Sequence, residues 1–166
     1  MASLRVSKDN ADSIFFVTFT IRRWYYIFDR HSRWDILLSA LKFYQENQNL
    51  KIYSWVFMLN HMHLIFQSEN AIKFINSYKS YTAQKIRENI QDTEPKLLKL
   101  FKTEKDYQIW QGKNYPEIIE SEKFFLQKAE YIITNPVRKE YVYEPEEWKF
   151  SSSSRIQLLK LESLFE

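Results

Sequence analysis

The chain has no cysteine among its 166 residues and only three histidines. The absence of cysteine excludes a disulfide-stabilised scaffold, a cysteine nucleophile and any metal site built from thiolates. A metal site in this protein would therefore use histidine, carboxylate, amide or water ligands. Because histidines are so few, the position of each one is informative.

Long apolar runs and a strong charge bias are also absent. No segment approaches the ~20 apolar residues needed to span a bilayer, and the first residues, MASLRVSKDNADS, lack the apolar core of a signal peptide. We therefore expect a cytoplasmic protein with no membrane partner. The net charge is only +3, from 24 Lys and Arg against 21 Asp and Glu, which permits a nucleic-acid partner without requiring one.

Aromatic residues, by contrast, are abundant, with 13 Phe, 11 Tyr and 5 Trp. This composition is typical of a folded chain and excludes a disordered one, and the length fits one domain. We predict a single domain over residues 1–166, in which residues 1–12 form a flexible tail and residues 154–166 form a C-terminal extension.

Hydrophobic periodicity predicts alternating strands and helices. The patterns indicate strands at 13–23, 51–59 and 61–68, helices at 32–47, 71–89 and 121–135, a polar linker at 88–106, a short strand and turn at 107–119, and a last short helix in the C-terminal tail. We expect Pro136 to end the helix at 121–135, because proline pushes the residue before it out of the α region. This order predicts an α+β, ferredoxin-like two-layer sandwich, with helices on one face of an antiparallel sheet.

Two of the three histidines, His61 and His63, are separated by one residue in the run WVFMLNHMHLIFQ. Side chains alternate between the faces of a strand, so both imidazoles should point one way and Met62 the other. A purely structural interpretation places one ring in a core hydrogen bond and leaves the other exposed. The functional interpretation is that the spacing directs two imidazoles at one ligand.

A second pair of residues favours the functional interpretation. Tyr131 and Asn135 are four residues apart in a predicted helix, so they lie on one helix face a turn apart. If this face packs beside the histidines, two imidazoles and an amide oxygen could bind a divalent cation. Such a mixed set of ligands suits Mn²⁺ or Mg²⁺ better than a closed zinc site, and the cation would act as a Lewis acid and template.

The phenol of Tyr131 is the candidate nucleophile. Tyrosine is mostly protonated at pH 7, so attack would need a nearby base or cation that helps to form the phenolate. Tyr78 and Tyr81 lie among basic residues and are rival nucleophiles, although core packing beside a basic surface also explains them. Gln127 is an alternative ligand if Asn135 caps the helix end.

Basic and aromatic residues are interleaved in the segment IRRWYYIFDRHSRW. Such a segment can hold phosphates and stack unpaired bases, each stacked base contributing ~1–3 kcal/mol. The same aromatic residues could equally form part of the core. His31, in this segment, is expected to be a surface residue or a contact to a DNA backbone, and not a metal ligand. We predict that the DNA-binding cations are Arg22, Arg23, Arg30, Arg33, Lys79 and Lys85.

Two stretches resemble motifs of a known family. LNHMHLIF resembles the His-hydrophobic-His motif of the HUH single-strand endonucleases, and EYIITNPVRKEYV resembles the tyrosine helix of their single-tyrosine transposases. Weaker matches, FFVTFTIRR, FINSYKSYTAQKI, IWQGKNYPEII and EWKFSSS, occur in the same order, so the resemblance covers about residues 14–153. The chain is thus similar to the REP-associated tyrosine transposases, although Leu59 stands where a proline is common and KEY replaces a small Ala-Gly pair.

This resemblance implies an HUH fold and a metal-dependent single-strand DNA endonuclease and strand transferase. His61, His63 and Asn135 would bind the Mg²⁺ or Mn²⁺ ion. Tyr131 would cut a single strand beside a bound DNA hairpin, leaving a 5′-phosphotyrosine and a free 3′-hydroxyl. The alternative function is a non-catalytic or domesticated hairpin-binding module on the same fold. Both a monomer and a homodimer are compatible with the sequence.

Overall fold

The structure, a computed structural model, describes residues 12–165. Within this range the chain forms four strands and three α-helices, in the order β1 (Ile14–Thr20), α1 (Arg33–Asn47), β2 (Lys51–Phe57), β3 (His61–Gln67), α2 (Ala71–Thr93), β4 (Glu117–Ile118) and α3 (Glu122–Arg138). The predicted tail at residues 1–12 lies outside the described range, apart from Asp12. None of the described helices has the length and apolar composition needed to cross a bilayer.

The strands form one antiparallel sheet in the order β2-β3-β1-β4. The predicted class, an α+β fold with helices packed on an antiparallel sheet, is confirmed. The two central strands, β1 and β3, pair along their whole length, from Ile14 opposite Gln67 to Thr20 opposite His61. This register determines which side chains of the central strands are neighbours.

Helices cover both faces of the sheet, which corrects the expectation that they share one face. Phe15 and Phe19 of β1 point into the larger core, which includes the buried residues of α1 and α2. Phe16 points to the opposite face, where it packs in a smaller cluster with Phe125 and Ile132 of α3. The reason is that β3 is buried on both faces, so a helix is needed on each side to exclude water.

The helix α3 continues through Pro136 to Arg138, so the prediction that Pro136 ends it is wrong. Proline lacks an N–H group and crowds the preceding turn, so α3 loses one hydrogen bond there but continues for two more residues. The backbone N–H groups of Lys139 and Tyr141 donate to the carbonyl oxygens of Asn135 and Pro136, both at 3.0 Å. These bonds bring Tyr141 back beside the end of the helix.

Two other segments differ from the prediction. The helix α2 extends to Thr93, and the predicted polar linker contains a 3₁₀ turn at Pro95–Phe101. The predicted C-terminal helix is not formed, because residues 156–165 have no regular secondary structure. Leu159 is instead buried in the larger core, and the N–H of Glu162 donates to a carbonyl oxygen of β2 at 2.8 Å.

Candidate active site

His61 and His63 project from the same face of β3. Their ring centroids are 4.9 Å apart with an interplanar angle of 75°, and both rings line one cavity. Met62, between them, is fully buried in the larger core on the opposite face. The alternation of side chains along the strand therefore places the two imidazoles side by side.

Each histidine is held through its Nδ1 atom. Thr18 is the cross-strand partner of His63 in the β1–β3 register, and its Oγ1 is 2.7 Å from His63 Nδ1. His61 Nδ1 is 2.7 Å from Oδ1 of Asn60. When both Nδ1 atoms carry the proton and donate it, the lone pairs of both Nε2 atoms are available, which is the usual arrangement of metal-binding histidines.

The Nε2 atom of His63 is buried without a hydrogen-bond partner, and it is the only such side-chain nitrogen or oxygen among residues 12–165. An unpaired buried polar atom costs free energy, so each one needs an explanation. The His63 ring is 4% exposed and stacks on Phe16, with ring centroids 5.6 Å apart. This fixed ring therefore has one nitrogen that no described residue bonds.

Both histidines are neutral at pH 7. The pKa of His61 is lowered from 6.5 to about 4, mainly by burial and to a smaller extent by the charge of Lys139. Burial also lowers the pKa of His63 to about 3, with smaller contributions from His61, Lys128 and Arg138. A neutral imidazole is the form that binds a metal, so no proton has to be displaced at physiological pH.

The helix α3 brings Tyr131 to the same cavity. The ring centroids of Tyr131 and His63 are 5.1 Å apart, and the rings meet edge to face. Tyr131 is 42% exposed, so it can be reached from solvent. The cavity has a volume of about 310 Å³, near the lower end of the range for small-molecule sites. The two predicted pairs, one on a strand and one on a helix, thus come together through Tyr131.

Asn135 lies on the helix face between two cavity-lining residues, Tyr131 and Lys139. Its side chain is buried, whereas Gln127, one turn before Tyr131, is exposed. The described residues contain no cluster of three or more His, Asp or Glu side chains that could hold a metal. Neither Asn135 nor Gln127 is among the described residues that line the cavity, so the choice between these two amides as a third ligand stays a prediction.

The sequence analysis missed two cations beside Tyr131. The guanidinium of Arg138 lies over the Tyr131 ring, 4.3 Å from its centroid. It donates to Thr134 Oγ1 at 2.9 Å and to the Tyr131 carbonyl at 3.0 Å. Lys139 lines the cavity itself. The seven-residue spacing from Tyr131 to Arg138, two helical turns, could have identified the arginine.

This set of residues can be compared with known proteins. A family model described as "Transposase IS200 like" matches residues 13–132, a range that contains His61, His63 and Tyr131. The chain belongs to the IS200-like transposase family. Asn135 lies just beyond the matched range, so the family match does not bear on its role.

A solved structure shares the fold of this transposase. The structure of a REP-associated tyrosine transposase bound to a REP hairpin matches with a TM-score of 0.66 and 20% sequence identity, covering 92% of this chain and 82% of that chain. No curated protein matches the chain significantly. The predicted resemblance is therefore confirmed for the family and for the fold.

The structure separates Tyr131 of this transposase from its two rivals. Tyr78 is fully buried in the larger core, and its hydroxyl donates to the Leu37 carbonyl at 3.1 Å. Tyr81 is exposed, but it lies on α2, which packs on the opposite face of the sheet from the histidines. Neither lines the cavity.

Arg33 has to be removed from the predicted DNA-binding residues. It is fully buried, and it donates to the carboxylate of Glu94 at 2.6 Å and to Asn89 Oδ1 at 2.9 Å. Arg30 also pairs with Glu94, at 3.0 Å, and remains partly exposed. His31 lies 3.7 Å from the same carboxylate, outside the cavity. This group ties the start of α1 to the end of α2.

The other predicted DNA-binding cations are at the surface or beside a loop. Arg23 is exposed, and Arg22, next to it, is partly buried at the end of β1. Lys85 is exposed and pairs with Glu88 at 3.0 Å. Lys79 is half-buried and donates to the Gln111 carbonyl at 2.9 Å, so it orders the loop after residue 110. Phosphate binding by Arg22, Arg23 and Lys85 stays a prediction.

The aromatic segment after β1 has two structural roles. Ile27 and Phe28 are buried in the larger core, and Tyr25 packs against it. Trp24 and Tyr26 are exposed and line the cavity that contains the histidines. The segment is therefore neither purely core nor purely surface.

Proposed function

We propose that this transposase is a metal-dependent single-strand DNA endonuclease and strand transferase that binds DNA hairpins and cuts through a 5′-phosphotyrosine. The observation that carries the proposal is that Tyr131 and the two histidines line one open cavity. The ring centroids of Tyr131 and His63 are 5.1 Å apart. Phosphoryl transfer requires a nucleophile and positive charge at the phosphate, and two unprotonated imidazole nitrogens could hold a metal ion that supplies such charge.

The side chains of this cavity fit a divalent cation. His61 and His63 are neutral, anchored through Nδ1 and free at Nε2, and Asn135 supplies the third candidate ligand from α3. A mixed nitrogen and oxygen set suits Mg²⁺ or Mn²⁺. When bound, the cation supplies a Lewis acid that neutralises charge on the scissile phosphate.

Tyr131 is the nucleophile in this proposal. Its phenol oxygen forms a bond to phosphorus, and the bond from phosphorus to the 3′ oxygen of the DNA breaks. The departing 3′ oxygen takes up a proton and becomes a 3′-hydroxyl, while the phenol proton passes to water at the open side of the cavity. The number of phosphodiester bonds is unchanged, so attack by another 3′-hydroxyl on the phosphotyrosine rejoins the strand.

Arg138 and Lys139 position and neutralise the reacting groups. The guanidinium of Arg138 lies over the Tyr131 ring, 4.3 Å from its centroid, so this cation–π contact holds the ring of the nucleophile in place. The ammonium of Lys139, on the cavity wall, is placed to pair with a phosphate oxygen. Arg138 is the last residue of α3 and Lys139 follows it directly. Both cations therefore move with Tyr131 if the helix moves.

Hairpin binding is supported by the fold. The solved transposase with the same fold is bound to a REP hairpin. In this chain, Arg22, Arg23 and Lys85 are the candidate contacts to the hairpin backbone. Phosphate contacts fix the position of a nucleic acid without reading its sequence, so they suit a protein that must place one phosphate at Tyr131.

The test is the covalent intermediate. Wild-type protein is incubated with Mn²⁺ and a DNA hairpin that carries single-stranded flanks, labelled at each end in turn. We expect a protein–DNA adduct at the 5′ end of the cut strand, seen on a denaturing gel and mapped to Tyr131 by peptide mass spectrometry. Tyr131→Phe should bind the hairpin normally and form no adduct, because it keeps the ring and loses the nucleophilic oxygen.

The matched control is Tyr143→Phe, which removes the same oxygen from a tyrosine that is 92% exposed and outside the cavity. It should cut like the wild type. An adduct on another tyrosine, or cutting by Tyr131→Phe at the wild-type rate, would refute the assignment. Tight hairpin binding without any cutting would support the non-catalytic alternative.

A further inference from the structure

Three aromatic side chains line the cavity on the side facing solvent. Trp24, Tyr26 and Tyr141 are 64%, 57% and 39% exposed, and all three line the same cavity as His61 and Tyr131. Trp24 is the only exposed tryptophan of the five in the chain. Large apolar rings that remain in water beside a polar cavity mark a binding surface.

The backbone is strained where it displays Trp24. Arg23 and Trp24 both have a φ of 57°, in the left-handed region that bulky residues rarely adopt. The turn is nevertheless well held, because the Trp24 carbonyl accepts a hydrogen bond from Asn60 Nδ2 at 3.0 Å and its N–H donates to the Ile21 carbonyl at 2.9 Å. Strain of this kind persists where a surrounding structure enforces it, often at ligand sites.

Tyr141 forms a rigid part of the cavity wall. Its ring stacks on Trp148, with centroids 5.6 Å apart and an interplanar angle of 25°. Trp148 is itself fixed by a hydrogen bond from its Nε1 to the Phe57 carbonyl at 2.8 Å. Burial raises the pKa of Tyr141, and so does a side-chain hydrogen bond with Tyr26. The two phenol groups are therefore neighbours in the cavity wall.

The charges around these rings select the type of ligand. No Asp or Glu is among the described residues that line the cavity, whereas Lys139 lines it and Arg23 is exposed beside Trp24. A flat aromatic ligand that carries negative charge fits this combination. Unpaired nucleotides have both properties, because every base has a π-face and every link has a phosphate.

We propose that Trp24, with Tyr26 and Tyr141, forms a stacking site for one unpaired base of single-stranded DNA. The base belongs to the strand that Tyr131 attacks, so the proposal rests on the proposed function for its substrate. Stacking there fixes the nucleotide next to the scissile phosphate while Lys139 pairs with the backbone. Because stacking tolerates any base, this site sets the position of the strand and not its sequence.

The experiment measures binding without cutting, in the Tyr131→Phe background. The probe is a DNA hairpin with an oligothymidine flank, together with a series in which one flank position at a time is abasic. We expect a single abasic position to weaken binding by roughly 5- to 150-fold, the effect of losing one stacked base. Trp24→Ala should weaken binding of the intact probe by a similar factor. In that variant, the same abasic position should no longer change the affinity.

Two further variants separate stacking from a change of fold. Trp24→Phe keeps a stacking ring and should retain most of the affinity. Tyr143→Ala removes an exposed aromatic ring outside the cavity and should bind every probe like the parent protein. In the chain with Trp24 intact, binding of the intact probe should quench tryptophan fluorescence, and Trp24→Phe should remove most of that quenching, since the other four tryptophans are buried or half-buried.

The outcomes distinguish this site from the proposed function. If the wild type cuts, but the abasic positions weaken binding equally whether residue 24 is Trp or Ala, the stacking site alone is overturned. If one abasic position weakens binding only when Trp24 is present, but the wild type never cuts DNA, the stacking site is supported and the nuclease function is overturned. If the protein with Trp24 intact binds none of the probes, both the stacking site and the proposed function are overturned.

Discussion

The low pKa values of the two histidines predict an unusual pH dependence of metal binding. A proton and a metal compete for the same imidazole lone pair. The folded-state pKa values are about 4 for His61 and about 3 for His63, both below the ordinary value. Lowering the pH therefore leaves both imidazoles free for metal until the pH approaches about 4, well below the range in which exposed histidines become protonated.

The size of the effect follows from the fraction of neutral imidazole. At about pH 5.5, a histidine with the ordinary pKa of about 6.5 is roughly one-tenth neutral, so two such ligands would lose about 100-fold in metal affinity between about pH 7.5 and 5.5. With the pKa values of this site, both rings remain almost entirely neutral over that interval. We expect the affinity to change by less than about 2-fold.

The assay is calorimetric titration of Mn²⁺ into wild-type protein across that pH range. The three histidines of the chain provide the controls, because His31 lies beside Glu94 outside the cavity. His63→Ala should abolish Mn²⁺ binding at every pH, and His31→Ala should leave it unchanged. A loss near 100-fold at the lower pH would show that the imidazoles are not buried as the structure has them, and would refute the reasoning.

Three further predictions concern activity, DNA binding and stability. Cutting should require a divalent cation and be largely abolished in His61→Ala, because the site has few protein ligands; undiminished cutting in excess EDTA would contradict this. Hairpin affinity should fall as salt rises, and Arg23→Ala should reduce the slope against log salt by about one; an unchanged slope would exclude that contact. Glu94→Gln should leave the buried Arg33 charge uncompensated and lower the free energy of unfolding by an amount near the lower end of ~3–5 kcal/mol, since Glu94 is partly solvated. Urea denaturation measures the loss, and stability equal to the wild type would show that the pair is not needed.

The local part of the site is the part that the sequence predicts well. The two-residue spacing of His61 and His63 and the four-residue spacing of Tyr131 and Asn135 determine which side chains share a face, because these periods are fixed by strand and helix geometry. The fold class follows from the order of the same patterns. These inferences need no knowledge of distant contacts.

The predictions that failed depend on contacts between distant residues. The local sequence predicts Arg33 to be a surface cation, but its partner in the fold is Glu94, 61 residues later in the chain. The face covered by α3 cannot be inferred from β3, because both faces of that strand are buried. Thr18 becomes a partner of His63 only through the β1–β3 register. Each of these contacts is set by tertiary packing, which the local pattern does not contain.

The unequal size of the two apolar clusters has a consequence for local opening. His61 and His63 belong to a central strand, whereas Tyr131 belongs to α3, which rests on the smaller cluster alone. Regions with fewer buried contacts open at lower free energy than the whole fold. Amide hydrogens of α3 should therefore exchange through a partial opening that leaves β1 and β3 protected. In mild denaturant, the nucleophile would then separate from its imidazoles while the central sheet stays intact, so covalent adduct formation should be lost at a lower denaturant concentration than the hydrogen-exchange protection of β1 and β3.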